Sequence, residues 1–249
     1  MSQWLRSALF NLAFVGGSAL LSVALLPTLI MPRAALVGAV RTWARAVMRL
    51  FTGLIGAGIE VRGLDRLPAG ACIVACKHQS TLETVSLTAL LTDPSFVIKR
   101  ELVLLPVMGW LFLKLRYAVV DRGAGPRALK RLLAQAARAK ADGRPIVIFP
   151  EGTRVAPGES RAYQPGVAAL YQHLDLMVVP VALNSGLAWG RRRFVKQPTH
   201  TVIEFLEPIP PGLERGAFMD RLRTAIEGAS RALEGEAGVS RTPTQSAVA

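Results

Sequence analysis

Cysteine is nearly absent: Cys72 and Cys76 are the two in 249 residues, and both fall in the run ACIVAC at 71–76. In a strand, residues four apart lie roughly 13 Å from one another at about 3.3 Å per residue. A disulfide tolerates a Cα separation of only about 7 Å. The two cannot bridge each other, so nothing asks for an oxidising compartment, and both read as small buried hydrophobes. Histidine is almost as scarce. His78, His173 and His200 show no metal-ligand spacing, which speaks against zinc, and neither a metal nor a cofactor is expected. A G-x-S-x-G elbow is missing, which excludes a serine hydrolase of that type. So are a Walker loop and a G-x-G-x-x-G turn. Aromatic residues are 6% of the chain and do not interleave with basic ones, so no base-stacking platform for nucleic acid is expected. Internal repeats and low-complexity blocks are missing too.

Acidic side chains are in deficit. Seventeen Asp and Glu against 30 Lys and Arg leave a formal net charge of +13, which favours anionic lipid, nucleic acid, or acidic carriers and substrates as partners. Charge disappears altogether between Arg6 and Arg33, where SALFNLAFVGGSALLSVALLPTLIMP runs from 7 to 32. A bilayer core needs about 20 apolar residues, and Gly16, Gly17 and Pro27 are tolerated in membrane helices. A signal peptide fits less well, because the run exceeds an h-region and no clear A-x-A site follows. The run suits a full span and a half-inserted hairpin equally. Beyond it, Arg41, Arg45 and Arg49 recur at four-residue spacing, which puts three guanidinium groups on one helical face. Beside a membrane segment such a stripe is expected to meet an anionic membrane surface. More Arg follows the apolar run than precedes it, which orients the rest of the chain to the cytoplasmic side of an inner membrane.

The expected organisation is therefore a membrane-anchoring helical segment at 1–58, an α/β domain at 59–235, and a disordered tail at 236–249. In the middle part, short apolar runs alternate with helical stretches. The runs are 71–76, 95–98, 117–120, 145–149, 177–183 and 201–206. The clearest helices are at 125–143, where Leu129, Leu132, Leu133 and Ala136 share a side, and at 214–234. Alternation of this kind predicts a mostly parallel sheet flanked by helices.

Two strand ends carry the chemistry. CKHQSTLET at 76–84 contains Ser80 and Glu83 in the S-x-x-E spacing of a helix capping box. That box explains Ser80 and Glu83 but not His78. On a continuous helix, residues five apart point about 140° away from each other, so His78 meets Glu83 only from the turn ahead of the helix. A carboxylate against a histidine suits a general base acting on a hydroxyl. FPEGTR at 149–154 follows the run PIVIF. It reads either as a tight turn with a Glu151–Arg154 pair, or as an anion site in which Arg154 forks onto phosphate and Gly152 admits close approach. WGRRRFVK at 189–196 reads as a solvated loop or a headgroup contact.

Together these blocks resemble the glycerolipid acyltransferase family, the 1-acylglycerol-3-phosphate acyltransferases included, with its H-x4-D/E and F-P-E-G-T-R motifs. KRELVLLPVMGW at 99–110 and VVPVALNSG at 178–186 match two further blocks in order, and the likeness covers residues 60 to 210. It implies that His78 is the general base and Glu83 its orienting partner. It further implies that Glu151, Gly152, Thr153 and Arg154 hold the acceptor phosphate, with Lys99 as a further contact. The donor would be acyl-CoA or acyl carrier protein, the acceptor a lysophospholipid, and the product phosphatidic acid. The sequence departs from the pattern in Lys77–His78, where an Asn–His pair is usual, and in Glu83, where Asp is common. Rival readings are an acyltransferase acting on another lysolipid, such as a lyso-aminolipid, and a catalytically silent membrane-surface binder.

Overall fold

The computed structural model describes residues 1–238. Two long helices come first: α1 (Gln3–Ala24) and α2 (Arg33–Ile55), joined through a 3-10 turn at Leu26–Leu29. Pro27 cannot donate a backbone hydrogen bond and sits in that turn, and Gly56 closes α2 in the left-handed conformation at φ 81°. Strand β1 (Ile59–Arg62) follows, then β2 (Ile73–Cys76), α3 (Leu82–Leu90), β3 (Ser95–Lys99), α4 (Arg100–Val103) and α5 (Met108–Lys114). The chain continues through β4 (Ala118–Val120), α6 (Pro126–Ala141), β5 (Ile146–Ile148), α7 (Pro165–Leu174), β6 (Val178–Leu183), α8 (Ser185–Ala188), β7 (Thr201–Phe205) and α9 (Arg215–Glu236).

The strands form one sheet in the order β1-β7-β6-β2-β5-β3-β4. Every described pairing is parallel except β6 with β7, so the mostly parallel α/β sheet is the observed fold. β1 was not expected: IEVR is short and half-buried at the sheet edge, where little apolar signal is required. The tail expected from Glu236 falls mainly on residues 239–249, outside the described residues, and Glu236 itself ends α9.

Alternation along β2 explains the layering. Ile73 and Ala75 face a core built with α6, α7 and α9, while Val74 and Cys76 face the opposite core with Leu87, Phe96 and Val179. Both cysteines are free and buried, and burial pushes the Cys72 thiol up to about 11. The first two helices do not stand apart from this body. Phe10 is fully buried among Val47, Phe51, Leu82 and Trp189, and it meets the rings of Phe51 and Trp189 edge-on. At the far end of the hairpin, Leu25 and Leu36 pack on Leu111 and Leu115. There Arg33 pairs with Asp93 and Lys114 Nζ donates to the Leu29 carbonyl at 3.0 Å. The outer side of α1 remains apolar and uncovered, with Leu12 at 72% and Ile30, at the turn, at 93% exposure. Emptying a packed aromatic site costs roughly 3–5 kcal/mol. Phe10→Ala should therefore lower the unfolding midpoint of the whole α/β domain. A guanidinium titration followed by tryptophan fluorescence, unchanged from the parent, would show that α1 is only an attached anchor.

Candidate active site

The three central strands β5, β2 and β6 run parallel, so their C-terminal ends open onto one edge, where sheets of this type place their ligands. β2 delivers Lys77 to Ser80, β5 delivers Phe149 to Arg154, and β6 delivers Asn184 and Ser185. His78 and Glu83 do meet: His78 Nδ1 lies 2.8 Å from Glu83 Oε1. The turn ahead of α3 makes this contact possible, as the five-residue spacing requires. A carboxylate accepts, so Nδ1 carries the proton and Nε2 presents its lone pair. Among the described residues Nε2 has no partner.

Glu83 is fully buried, and its carboxylate is ringed by donors. Oε1 also accepts the Gln79 and Ser80 N–H groups at 2.8 and 2.7 Å. Oε2 accepts the Ser185 hydroxyl at 2.7 Å. Half of the expected capping box is thus present, Glu83 reaching back to Ser80 N. The other half differs: Ser80 Oγ accepts from Leu82 N at 3.0 Å rather than from Glu83 N. Ser185, from the NSG block, was not singled out in the sequence. Phe149 was quoted only as part of its motif, yet its ring stacks on His78 with centroids 3.9 Å apart and 18° between planes. Such a flat contact restrains the imidazole on one side while leaving its edge open.

The FPEGTR turn is closed by Gly152 N donating to Phe149 O at 2.8 Å. Gly152 adopts φ +66°, a left-handed backbone that glycine takes without strain. Val155 N donates to His78 O at 2.8 Å, fastening this loop to the histidine turn. Gly152, Thr153 and Arg154 are half-exposed, and the Arg154 guanidinium makes no hydrogen bond or ion pair among the described residues. Arg191 donates to the Arg154 carbonyl at 3.1 Å, which brings the exposed Arg191–Arg193 stretch alongside. Lys99 lies exposed at the end of β3, two strands from β2.

Glu151 departs from the place expected for a phosphate contact. It is buried, with Oε1 held by Lys77 Nζ at 2.7 Å and Oε2 by His78 N at 3.1 Å. An anion so committed has nothing to offer a phosphate. Burial pushes its carboxyl above the usual range, against the opposing pull of Lys77. The Arg stripe is not uniform either: Arg41 is half-buried with Nε donating to the Ala89 carbonyl at 3.3 Å, whereas Arg45 and Arg49 are exposed. Among the described residues no cluster of three or more His, Cys, Asp or Glu could hold a metal ion.

A histidine backed by a buried carboxylate, beside an open cationic turn at the end of an α/β sheet, is an arrangement suited to activating a hydroxyl near an anion. The particular family follows from comparison. The family model described as Acyltransferase matches residues 58–184, and this chain belongs to that family. It is similar to a 1-acyl-sn-glycerol-3-phosphate acyltransferase of Pseudomonas aeruginosa, 37% identical over 202 residues, covering 79% of this chain and 77% of that one. A protein of the same name from Chlamydomonas reinhardtii is 25% identical over 172 residues, 68% of this chain and only 52% of its own length. Among solved structures, the 1-acyl-sn-glycerophosphate acyltransferase PlsC from Thermotoga maritima aligns at a TM-score of 0.68 and 19% identity. That alignment covers 96% of this chain and 97% of the other, a likeness of fold.

The cradle around Glu83 separates its two duties. Glu83→Gln retains an oxygen for Gln79 N and Ser80 N, and its amide can donate to Ser185 Oγ, so the variant should melt near the parent. It removes the charge that stabilises a protonated His78, and acyl transfer should fall by about 10²-fold or more. Ser80→Ala should do the reverse, losing about 0.5–2 kcal/mol with little change in rate. Thermal midpoints and thioester consumption measured on both decide it. Parental activity in Glu83→Gln would leave Glu83 as a helix cap only.

Proposed function

We propose that this protein transfers an acyl group from acyl-CoA or acyl carrier protein to the sn-2 hydroxyl of 1-acylglycerol 3-phosphate, forming phosphatidic acid. The observation that carries this reading is the His78–Glu83 pair with Nε2 open, fastened to the FPEGTR turn. His78 Nε2 takes the proton of the acceptor hydroxyl as its oxygen attacks the thioester carbonyl. The tetrahedral intermediate collapses, the C–S bond breaks, and the leaving thiolate recovers the proton from His78. A thioester is already activated, so a base and good placement carry most of the work. Arg154 and Thr153 receive the acceptor phosphate, Gly152 lets it approach the turn closely, and Lys99 or the Arg191–Arg193 stretch completes the cationic rim. Glu151 supports the turn from behind.

The proposed site of the reaction is the cytoplasmic face of the inner membrane. Among the described residues one helix, Gln3–Ala24, is long and apolar enough to cross a bilayer. Its first half is fastened to the body: Gln3 donates to the Lys196 carbonyl at 2.9 Å, Lys196 N to Ser7 Oγ at 2.9 Å, and Asn11 to the Phe194 carbonyl at 3.0 Å. A helix tied down in this way seats its free half and the turn at Ile30 in the lipid, rather than threading across. Exposed Leu104 lies in the loop after α4, and exposed Trp110 and Leu113 lie on α5, against which the hairpin turn packs. Arg45 and Arg49 add attraction to anionic headgroups. Recovery of the full-length protein in the soluble fraction at low salt would contradict this seating.

Complementation of a strain lacking its phosphatidate-forming acyltransferase tests the function. Growth should be restored by the parent and lost with His78→Ala, whose turnover should drop by about 10²–10⁴-fold. Purified Arg154→Lys keeps the charge but loses the fork, so its KM for 1-acylglycerol 3-phosphate should rise. Transfer to another lysolipid with none to 1-acylglycerol 3-phosphate would overturn the acceptor assignment.

A further inference from the structure

The catalytic reading leaves a second set of buried charges unexplained. Lys77, beside the base, is 1% exposed. Its ammonium spends all three protons: on Glu151 Oε1 at 2.7 Å, on the Glu227 carboxylate at 2.9 Å, and on the Glu159 carbonyl at 3.2 Å. Glu227 also accepts the Tyr163 hydroxyl at 2.9 Å. Two turns further along α9, Glu234 accepts from Gln79 Nε2 at 2.7 Å and from Gly158 N at 2.8 Å. Gln79 in turn accepts from Gly186 N at 3.1 Å. The residues on either side of His78 are thus each gripped by a glutamate from one face of the last helix.

Resting on the reading of His78 as the base, we propose that α9 belongs to the catalytic apparatus: Lys77, Glu227 and Glu234 are positioning residues that hold the 77–79 turn and so aim the His78 ring.

Packing alone does not account for them. Phe218, Leu222, Ile226 and Leu233 already fasten α9 to the sheet, and buried ion pairs are weak contributors to stability compared with apolar side chains of the same volume. What the charges add is direction. Glu151 bridges the Lys77 ammonium to the His78 N–H, so Glu227, Lys77, Glu151 and the His78 backbone form one continuous chain of hydrogen bonds. Gln79 is restrained from the other side, between Glu234 and Gly186 of α8. Lys77 stands where the family usually has asparagine, and a lysine there requires carboxylates that an amide does not. Glu227 meets that requirement from 150 residues away.

The test uses the full-length enzyme in mixed micelles with acyl-CoA and 1-acylglycerol 3-phosphate, well below each variant's unfolding midpoint. A base displaced by about 1 Å loses roughly 10²-fold in rate, so Glu227→Ala should lose kcat on that scale while KM for both substrates stays near parental. Glu227→Gln, which keeps an acceptor for Lys77, should recover most of the loss. Parental kcat in Glu227→Ala, whatever its midpoint, overturns the proposal. If Glu227→Ala does not fold, Glu234→Ala, which frees Gln79 on the other side of His78, takes its place. Lost kcat at unchanged KM then supports the proposal, and parental kcat overturns it. His78→Ala measured in parallel separates the two claims: parental turnover there sinks the base itself, while an inactive His78→Ala beside a normal Glu227→Ala sinks only the positioning role.

Discussion

A carboxylate taken fully out of water must be met by donors or it costs several kcal/mol, and Glu83 imposes that condition on everything around it. Its four donors come from the His78 ring, two successive backbone N–H groups and the Ser185 hydroxyl. Two consecutive N–H groups can point at one oxygen only if the chain turns sharply at 79–80, so β2 must end at Cys76 and α3 cannot start before that turn is complete. Ser185 must then lie within reach, which sets where β6 ends. The parallel register of β5, β2 and β6 supplies that alignment. His78 is therefore placed as a consequence of satisfying a buried anion.

Helix α3 joins this site to the apolar hairpin of α1 and α2. Glu83 sits in its first turn, and Arg41 from α2 donates to Ala89 near its end. Negative charge at the start and positive charge at the end both complement the helix dipole. α1 and α2 bury Phe10, Phe51 and Ile55 together with Leu82 and Val85 of α3. The apolar hairpin thus forms one wall of the catalytic domain, so the lipid seating proposed for it would also fix the orientation of the active site.

The alternating pattern of apolar runs made the sheet legible, and all six expected strands are present, five trimmed by one or two residues and β3 extended by one to Lys99. β1 was missed because an edge strand of IEVR needs no continuous apolar run. The His78–Glu83 contact was readable because one helix start fixes five residues of local geometry. Its supporting cast was not, since Ser185 and Glu227 reach the site through tertiary contacts from 102 and 150 residues away. A signal for Glu227 and Glu234 existed: both interrupt the apolar stripe of an amphipathic helix, where an acid is retained only against a partner. Glu151 was misplaced because FPEGTR was carried over as one phosphate-binding unit, although a carboxylate and a phosphate repel each other.

Separating those charges by depth gives the site a polarity. The network behind His78 contains the buried carboxylates of Glu83, Glu151, Glu227 and Glu234 against the single ammonium of Lys77. At the mouth stand Arg154 and the exposed Arg191–Arg193, with carboxylates of the network withdrawn from them. In the proposed reaction, an acceptor carrying a phosphate a few bonds from its hydroxyl would meet attraction at the rim and repulsion deeper in. Its head would be held outward, leaving the hydroxyl as the end that advances toward Nε2. The inner negative charge would favour the moment when His78 has taken that proton, and the thiolate that later removes it would leave toward the cationic rim. On the proposed mechanism, one arrangement of charge thus orders the acceptor before the reaction and stabilises the base during it.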